Sequence, residues 1–315
     1  ILLFTLSLFS FFFSGNWFQN DFRVYQRSIH GDFTGFYYPH YFLPVIYAID
    51  WMPVGVRIIL WSALNVFGIW YACRVFGGKW WPALFSFQML YVLWIGQVAG
   101  IVIGSLAFLF TALEKKKVWL AGIALTIASI KPQLGFPLAF AIWLTADITW
   151  KKRFTALVIP VAVVFLSIAV SPGWPAQLIS SLQTNGPNNW GSVSLWRLIG
   201  PASLVLWLPL FIIRLDRSEL IFMVAVTSAL ATPYFQQTDL LLLFSFPIGY
   251  VSLLGNYGYI IFWYDWPLML PMILLPLGLY CWFILKIIFL RYKFMNGYSL
   301  KLPFSISNKE RKFNK

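Results

Sequence analysis

Acidic side chains are almost missing from this chain: ten Asp and Glu stand among 315 residues, and all charged residues together make up 10%. A soluble domain usually carries about 25% charged residues, so a surface facing water on every side cannot be built from this supply. Cysteine is equally scarce. Cys73 and Cys281 lie far apart in apolar surroundings, which excludes a disulfide framework or a cysteine metal site and leaves packing as the reading for each. The two histidines, His30 and His40, have no spaced set of His, Cys or carboxylate partners, so they do not read as metal ligands. No glycine-rich nucleotide loop, linker, internal repeat or low-complexity stretch interrupts the chain.

What is abundant is apolar. Hydrophobic residues make up 60% of the sequence, and the mean hydropathy is +0.75. Apolar runs of roughly 18 residues or more recur along the whole length, as membrane-crossing helices require. The expectation is an all-α, polytopic integral membrane protein with about eleven or twelve transmembrane helices in one domain, residues 1–293. The 17 Trp and 15 Tyr accompany helix ends, as aromatic belts do.

The net charge of +13 raises nucleic acid as a partner, but its distribution speaks against it. Basic residues cluster at Arg74 and Lys79, Lys115–Lys117, Lys151–Arg153, Arg214 and Arg217, and from Arg291 onward. Hydrophobic segments separate these clusters in pairs, which puts every cluster on one side, the cytoplasmic side under the positive-inside rule. Only Arg23, Arg27, Arg57, Lys131 and Arg197 fall outside, leaving 18 of the 23 Lys and Arg within. No nucleic acid is needed to explain the charge.

Residues 1–14 read as most of a first helix whose start is missing, and not as a cleaved signal peptide. A long outer loop follows over 16–40. The apolar piece 41–49, bounded by Pro44 and Pro53, is too short to span with ease and reads as re-entrant or interfacial. Crossings are expected at about 54–73, 80–95, 97–114, 118–131, 133–149 and 154–171. A second outer loop covers 171–200, where Trp174, Leu178, Ile179 and Leu182 share the face of an interfacial helix. Further crossings are expected at 201–213, 218–232, 237–254 and 267–290, with the short piece 257–265 left ambiguous. Residues 294–315 form a basic cytoplasmic tail.

In a membrane protein the informative residues are polar groups that ought to be expensive, placed at one membrane level. Here Asp21, Gln97, Lys131, Arg197, Gln236, Gln237 and Asp239 gather at the outer ends of segments. One acid and a few cations suit a particular reaction. A lipid-linked phospho-sugar is an anion with its tail in the bilayer, and a Lys or Arg at an outer helix end can hold its phosphate and stabilise it as it leaves. A carboxylate can deprotonate the hydroxyl that attacks the anomeric carbon. Direct displacement inverts the sugar and needs one base, not two carboxylates flanking the bond.

The stretch Asp21-Phe22-Arg23-Val24-Tyr25, then Tyr37-Tyr38-Pro39, an apolar piece ending in Pro53, and Trp61 resembles the first-loop pattern of glycosyltransferase family 87. The resemblance continues through Gly96-Gln97, Leu120-Ala121-Gly122, Lys131-Pro132 and Thr232-Pro233-Tyr234 ahead of Asp239, in order and over most of the chain. It implies a GT-C-like membrane enzyme, in a class that includes polyprenol-phosphate-mannose-dependent mannosyltransferases. The lipid-linked sugar donor and a lipid or glycan acceptor would then meet at the extracytoplasmic face of a cell (inner) membrane. By the same resemblance Asp21 is the catalytic base, Lys131 faces the donor phosphate and Asp239 binds sugar or acceptor. Arg197, Gln97 and Tyr38 complete the substrate-binding set. No organic cofactor is implied, and a single first-loop acid neither requires nor excludes a divalent metal.

Each residue also has a structural reading. Asp21 suits a helix cap, Lys131 can snorkel to the interface, and Asp239 can meet a helix dipole. Arg197 and Tyr38 can anchor at the interface, and Gln97 can satisfy backbone in a hairpin. Asp32 reads as a turn acid. Two other functions compete. One is a non-catalytic subunit of a larger membrane complex; the other is a transporter, for which related halves and mid-bilayer charge are wanting.

Overall fold

A computed structural model describes residues 20–185, 192–257 and 271–295. The expected first helix over 1–14, the piece 257–265 beyond Tyr257, and the tail beyond Met295 lie outside these residues.

The described chain is helical, as the composition demands, and prolines and glycines decide where several of the helices start or stop. An amphipathic α1 (Asn20–Ile29) leads through a loop and a 3₁₀ turn (His40–Phe42) into α2 (Leu43–Asp50), too short to span. Pro53 opens α3 (Val54–Phe76), which Gly77 ends in a left-handed cap at φ +86°. The crossing expected at 80–95 is two pieces, α4 (Trp80–Leu84) and α5 (Phe87–Ile95). Ser86 caps the second by accepting a hydrogen bond from the Met89 amide. Then come α6 (Ala99–Glu114), α7 (Val118–Ala128), α8 (Pro132–Leu144), α9 (Trp150–Val170) and α10 (Trp174–Asn185). The last of these is the helix expected in the second outer loop.

The final part departs most from the expected spans. The 201–213 crossing is a short α11 (Trp196–Ile199), a 3₁₀ segment (Gly200–Trp207) and α12 (Leu208–Ile212), broken by Pro201 and Pro209. After α13 (Arg217–Ala231), the 237–254 crossing is the four-residue α14 (Leu241–Phe244) and a 3₁₀ segment (Gly249–Tyr257). Pro247 and Gly249, the latter at φ +58°, prevent one continuous helix there. The chain then enters α15 (Leu274–Met295).

Among the described residues three helices are long and apolar enough to cross a membrane: α3, α9, and Pro271–Phe289. The α5–α6 pair qualifies as a fourth if its 115° bend is counted as one broken span. α7, α8 and the stretch from Trp196 to Ile212 are apolar but shorter. The protein is thus an all-α membrane protein in which many expected crossings are short or interrupted helices. Among the described residues the β structure is one isolated bridge, Ser192 to Gln236.

Close packing holds the segments in register. α3 packs on α6, which packs on α7 and α8, while α7 also packs on α9. Glycines allow the first of these contacts: a Cβ on Gly104 would sit 2.5 Å from the Gly68 Cα, and one on Gly68 would sit 2.2 Å from the Gly100 oxygen. Asn65 adds a polar tie, its Oδ1 accepting from the Gly100 amide at 2.9 Å. α13 is central, with every residue from 221 to 231 buried between α8 and α15. At its start, Arg217 reaches Glu114 at the end of α6 and Thr145 at the end of α8. The opposite end of the same bundle, where α7 meets α8 and α13 ends, carries the polar cluster.

Candidate functional site

The cluster is built on three chain reversals. The first lies between α5 and α6, where Gly96 at φ +75° lets the chain turn sharply; the amides of both Gly96 and Gln97 bond the Val92 oxygen at 3.0 Å. Trp61 in α3 pins this elbow, its Nε1 donating to the Gly96 oxygen at 2.9 Å. The second reversal joins α7 to α8 at Lys131, with Pro132 at the first helical position. A Cβ on Gly135 would lie 1.9 Å from the Ala128 oxygen, so only glycine permits so tight a return. The third is Thr232–Asp239 after α13, closed when Asp239 Oδ2 accepts from the Gln236 amide at 3.1 Å.

The second outer loop braces that third turn. The Val193 amide donates to the Phe235 oxygen at 2.8 Å, the Leu195 amide to the Leu230 oxygen at 2.9 Å, and Ser194 Oγ to the Leu230 oxygen at 2.7 Å. Above the reversals lies α1, with Phe22, Val24, Tyr25 and Ser28 buried. Phe22 packs edge-on to Trp61 at 5.3 Å, and Tyr25 edge-on to Tyr38 and Phe42 at 5.1 and 5.4 Å. This aromatic nest holds the first turn of α1 over the elbow.

Five expected residues, Asp21, Tyr38, Gln97, Lys131 and Asp239, meet in one network. Lys131 is 1% exposed and Asp239 0%; Lys131 Nζ lies 2.6 Å from Asp239 Oδ1. The contact is a fully buried ion pair. The same ammonium donates to Gln236 Oε1 at 3.0 Å, Gln97 Oε1 at 3.2 Å and Thr238 Oγ1 at 3.4 Å. Gln97 Oε1 also accepts from Tyr38 at 3.2 Å, and Tyr38 in turn accepts from Tyr25 at 3.0 Å. Gln97 Nε2 donates to Asp21 Oδ2 and, at 3.4 Å, to Gln236 Oε1.

Asp21 is half-buried, as is Gln236, whereas Tyr38, Gln97, Lys131 and Asp239 are buried. Removal from water pushes its carboxyl up to about 6, against the opposing pull of the Lys131 charge and the Gln97 hydrogen bond. It is therefore a carboxylate near neutral pH with raised basicity, at the edge of a dry polar core. Asp32 is the contrast. It is exposed and bonded to the Thr34 amide at 3.0 Å, and Thr34 holds it below the ordinary carboxylate range. That is a turn acid, as its Gly-Asp-Phe context implied.

Arg197 stands apart from the network. It follows the braced Ser192–Leu195 segment in α11, makes no hydrogen bond to the cluster, and keeps a buried Nη1 without a partner among the described residues. Lys131, expected to face a phosphate, has protein acceptors around its ammonium. Two participants fell outside the expected site set. Gln236 and Thr238 complete the shell of Lys131, and the visible signal for them was the polar run Gln236-Gln237-Thr238-Asp239 between apolar segments. Arg57, counted among the outer cations, is taken up by Asp50 at 2.6 Å, and Gln26 joins the same carboxylate at 2.5 Å. Among the described residues no group of three or more His, Cys, Asp and Glu could hold a metal ion.

Residues 36–255 match the sequence model of glycosyltransferase family 87. The matched region takes in Tyr38, Gln97, Lys131, Arg197 and Asp239 and begins after Asp21. No curated protein and no solved structure matches the chain.

Proposed function

The chain belongs to glycosyltransferase family 87, and from that premise we propose an inverting transfer of a sugar, mannose or a close relative, from a polyprenyl phosphate. The acceptor is a hydroxyl on a lipid or glycan. The site end faces the extracytoplasmic side of the cell membrane, a placement supported by the basic clusters at the opposite helix ends. Asp21 takes the proton from the acceptor hydroxyl as that oxygen bonds to the anomeric carbon. The bond from that carbon to the phosphate oxygen breaks, and polyprenyl phosphate departs with the electron pair.

One observation carries the reading: Asp21 is the cluster's half-exposed acid, basic enough to accept a proton near neutral pH, over a buried cation. Lys131 favours the phosphate through its charge, relayed by Gln97 and Gln236, and Asp239 keeps that charge in place. Arg197, whose Nη1 has no partner among the described residues, meets the phosphate directly. Tyr38 lies beside the acid and borders the sugar.

The test is transfer of labelled sugar from polyprenyl-phosphate-mannose to lipid or glycan extracts, with the wild type beside Asp21→Asn. Removing a general base lowers the rate by roughly 10²–10⁴. Wild-type activity that survives the substitution moves the base elsewhere. Absence of transfer by either protein, over a panel of donors and acceptors, favours a non-catalytic membrane subunit.

A further inference from the structure

The Gln97 side chain is bonded at both ends, and the two ends of an amide are chemically different. Its oxygen accepts from three donors, Lys131 Nζ, Tyr38 Oη and its neighbour Val98 N, each at 3.2 Å. Turning the amide over would aim its NH₂ at an ammonium and a backbone N–H, donor against donor. Nε2 therefore faces Asp21 and Gln236 and has no choice of orientation. It donates to Asp21 Oδ2. Asp21 Oδ1 accepts no hydrogen bond among the described residues. Gln97 itself is 2% exposed and sits on the Gly96 elbow pinned by Trp61, so the amide is held by main chain as well as by its partners.

We propose that Gln97 is a positioning residue for Asp21 and not a sugar ligand: it ties Oδ2, presents Oδ1 as the atom that takes the acceptor's proton, and passes on the field of the buried Lys131. This rests on the reading of Asp21 as base. Lys131 does not touch Asp21. Its effect runs through a polarised amide, with the Lys131–Gln97 bond drawing electron density to Oε1 and strengthening the Nε2 donor. Gln236 acts in parallel, since its Oε1 accepts from both Lys131 and Gln97 and so keeps the second Nε2 hydrogen from competing for the carboxylate.

The experiment measures transfer rate against pH for wild type, Gln97→Met, Gln97→Glu, Asp21→Asn and the double variant Asp21→Asn with Gln97→Met, each checked by thermal unfolding in detergent. Gln97→Met keeps the length and removes the amide. Its rate falls about tenfold or more, its acid limb moves to higher pH, and donor KM stays within twofold. In the Asp21→Asn background the same change has no further effect, because a residue acting through Asp21 has nothing left to act on. Gln97→Glu keeps the shape and sets a second carboxyl against the first, so its limb also moves up; it carries the test if the Met variant does not fold. An unmoved limb in the folded variants, or losses that multiply in the double variant, overturns the role given to Gln97 and leaves Asp21 as base. Full activity in Asp21→Asn defeats the base itself, a different result.

Discussion

Lys131 and Asp239 form an ion pair of 2.6 Å with essentially no exposure on either side, although one stands at the start of α8 and the other in the turn beyond α13. The pair closes the floor of the polar cluster and joins two of its three reversals. A buried charge is tolerable because its partner and further acceptors surround it, and removing one partner strands the other. Asp239→Leu is accordingly expected to destabilise by about 3–5 kcal/mol, seen as earlier thermal unfolding in detergent. Asp239→Leu combined with Lys131→Met costs less than either change alone. A double variant as damaged as the sum of the singles would mean that the two charges do not support each other.

The shifted carboxyl of Asp21 gives a pH signature in activity. A base works when ionised, so the rate climbs with pH and levels off above about 6, the value to which withdrawal from water raises this group. A flat profile between pH 5 and 7 (on the order of the ordinary assay range) would place the titrating base elsewhere.

The same shift has the opposite sign for stability. Because the folded state binds this proton more tightly than the unfolded chain, whose ordinary value is 3.8, the contribution is fully present below that value. It is lost as pH rises through about 6. Asp21→Asn removes the loss, and its unfolding temperature changes less between pH 4 and 7 than that of wild type, over this rough window.

Gly104 has no room for a side chain. A Cβ there meets the Gly68 Cα at 2.5 Å, backbone against backbone. Gly104→Val separates α3 from α6, with a destabilisation of about 1–3 kcal/mol or more. The elbow that carries Gln97 moves with α6, so activity falls at temperatures where the variant is still folded. Thermal unfolding and transfer rate on the same preparation check this.

Among the described residues one guanidinium nitrogen of Arg197, near the braced loop, has no partner. As a phosphate ligand its truncation to Ala raises donor KM about tenfold or more, an effect on binding first and on turnover second. Asp32→Asn, at the exposed turn, is the control and leaves both constants within about twofold.

Composition and charge pattern alone determined the membrane class, the all-α architecture and the end of the helices where polar groups collect. Those properties follow from local chemistry, since a long apolar run can cross a bilayer only as a helix and a basic cluster marks one side. The helix lengths were less legible. Runs such as 201–213 and 237–254 are apolar enough to span, yet Pro201, Pro209, Pro247 and Gly249 break them, and apolar periodicity does not register a break. The individual candidates Asp21, Gln97, Lys131 and Asp239 could be named from their cost in an apolar chain. Their division of labour could not. Whether Lys131 meets a ligand or Asp239 depends on how three reversals stack, and that is decided by contacts such as Gly68 on Gly104 and Gly135 on Ala128, between residues whose sequence positions say nothing of distance. A side chain's type is written in the sequence, but its partner and its exposure are properties of the packed fold, because burial and charge compensation depend on everything within a few ångströms.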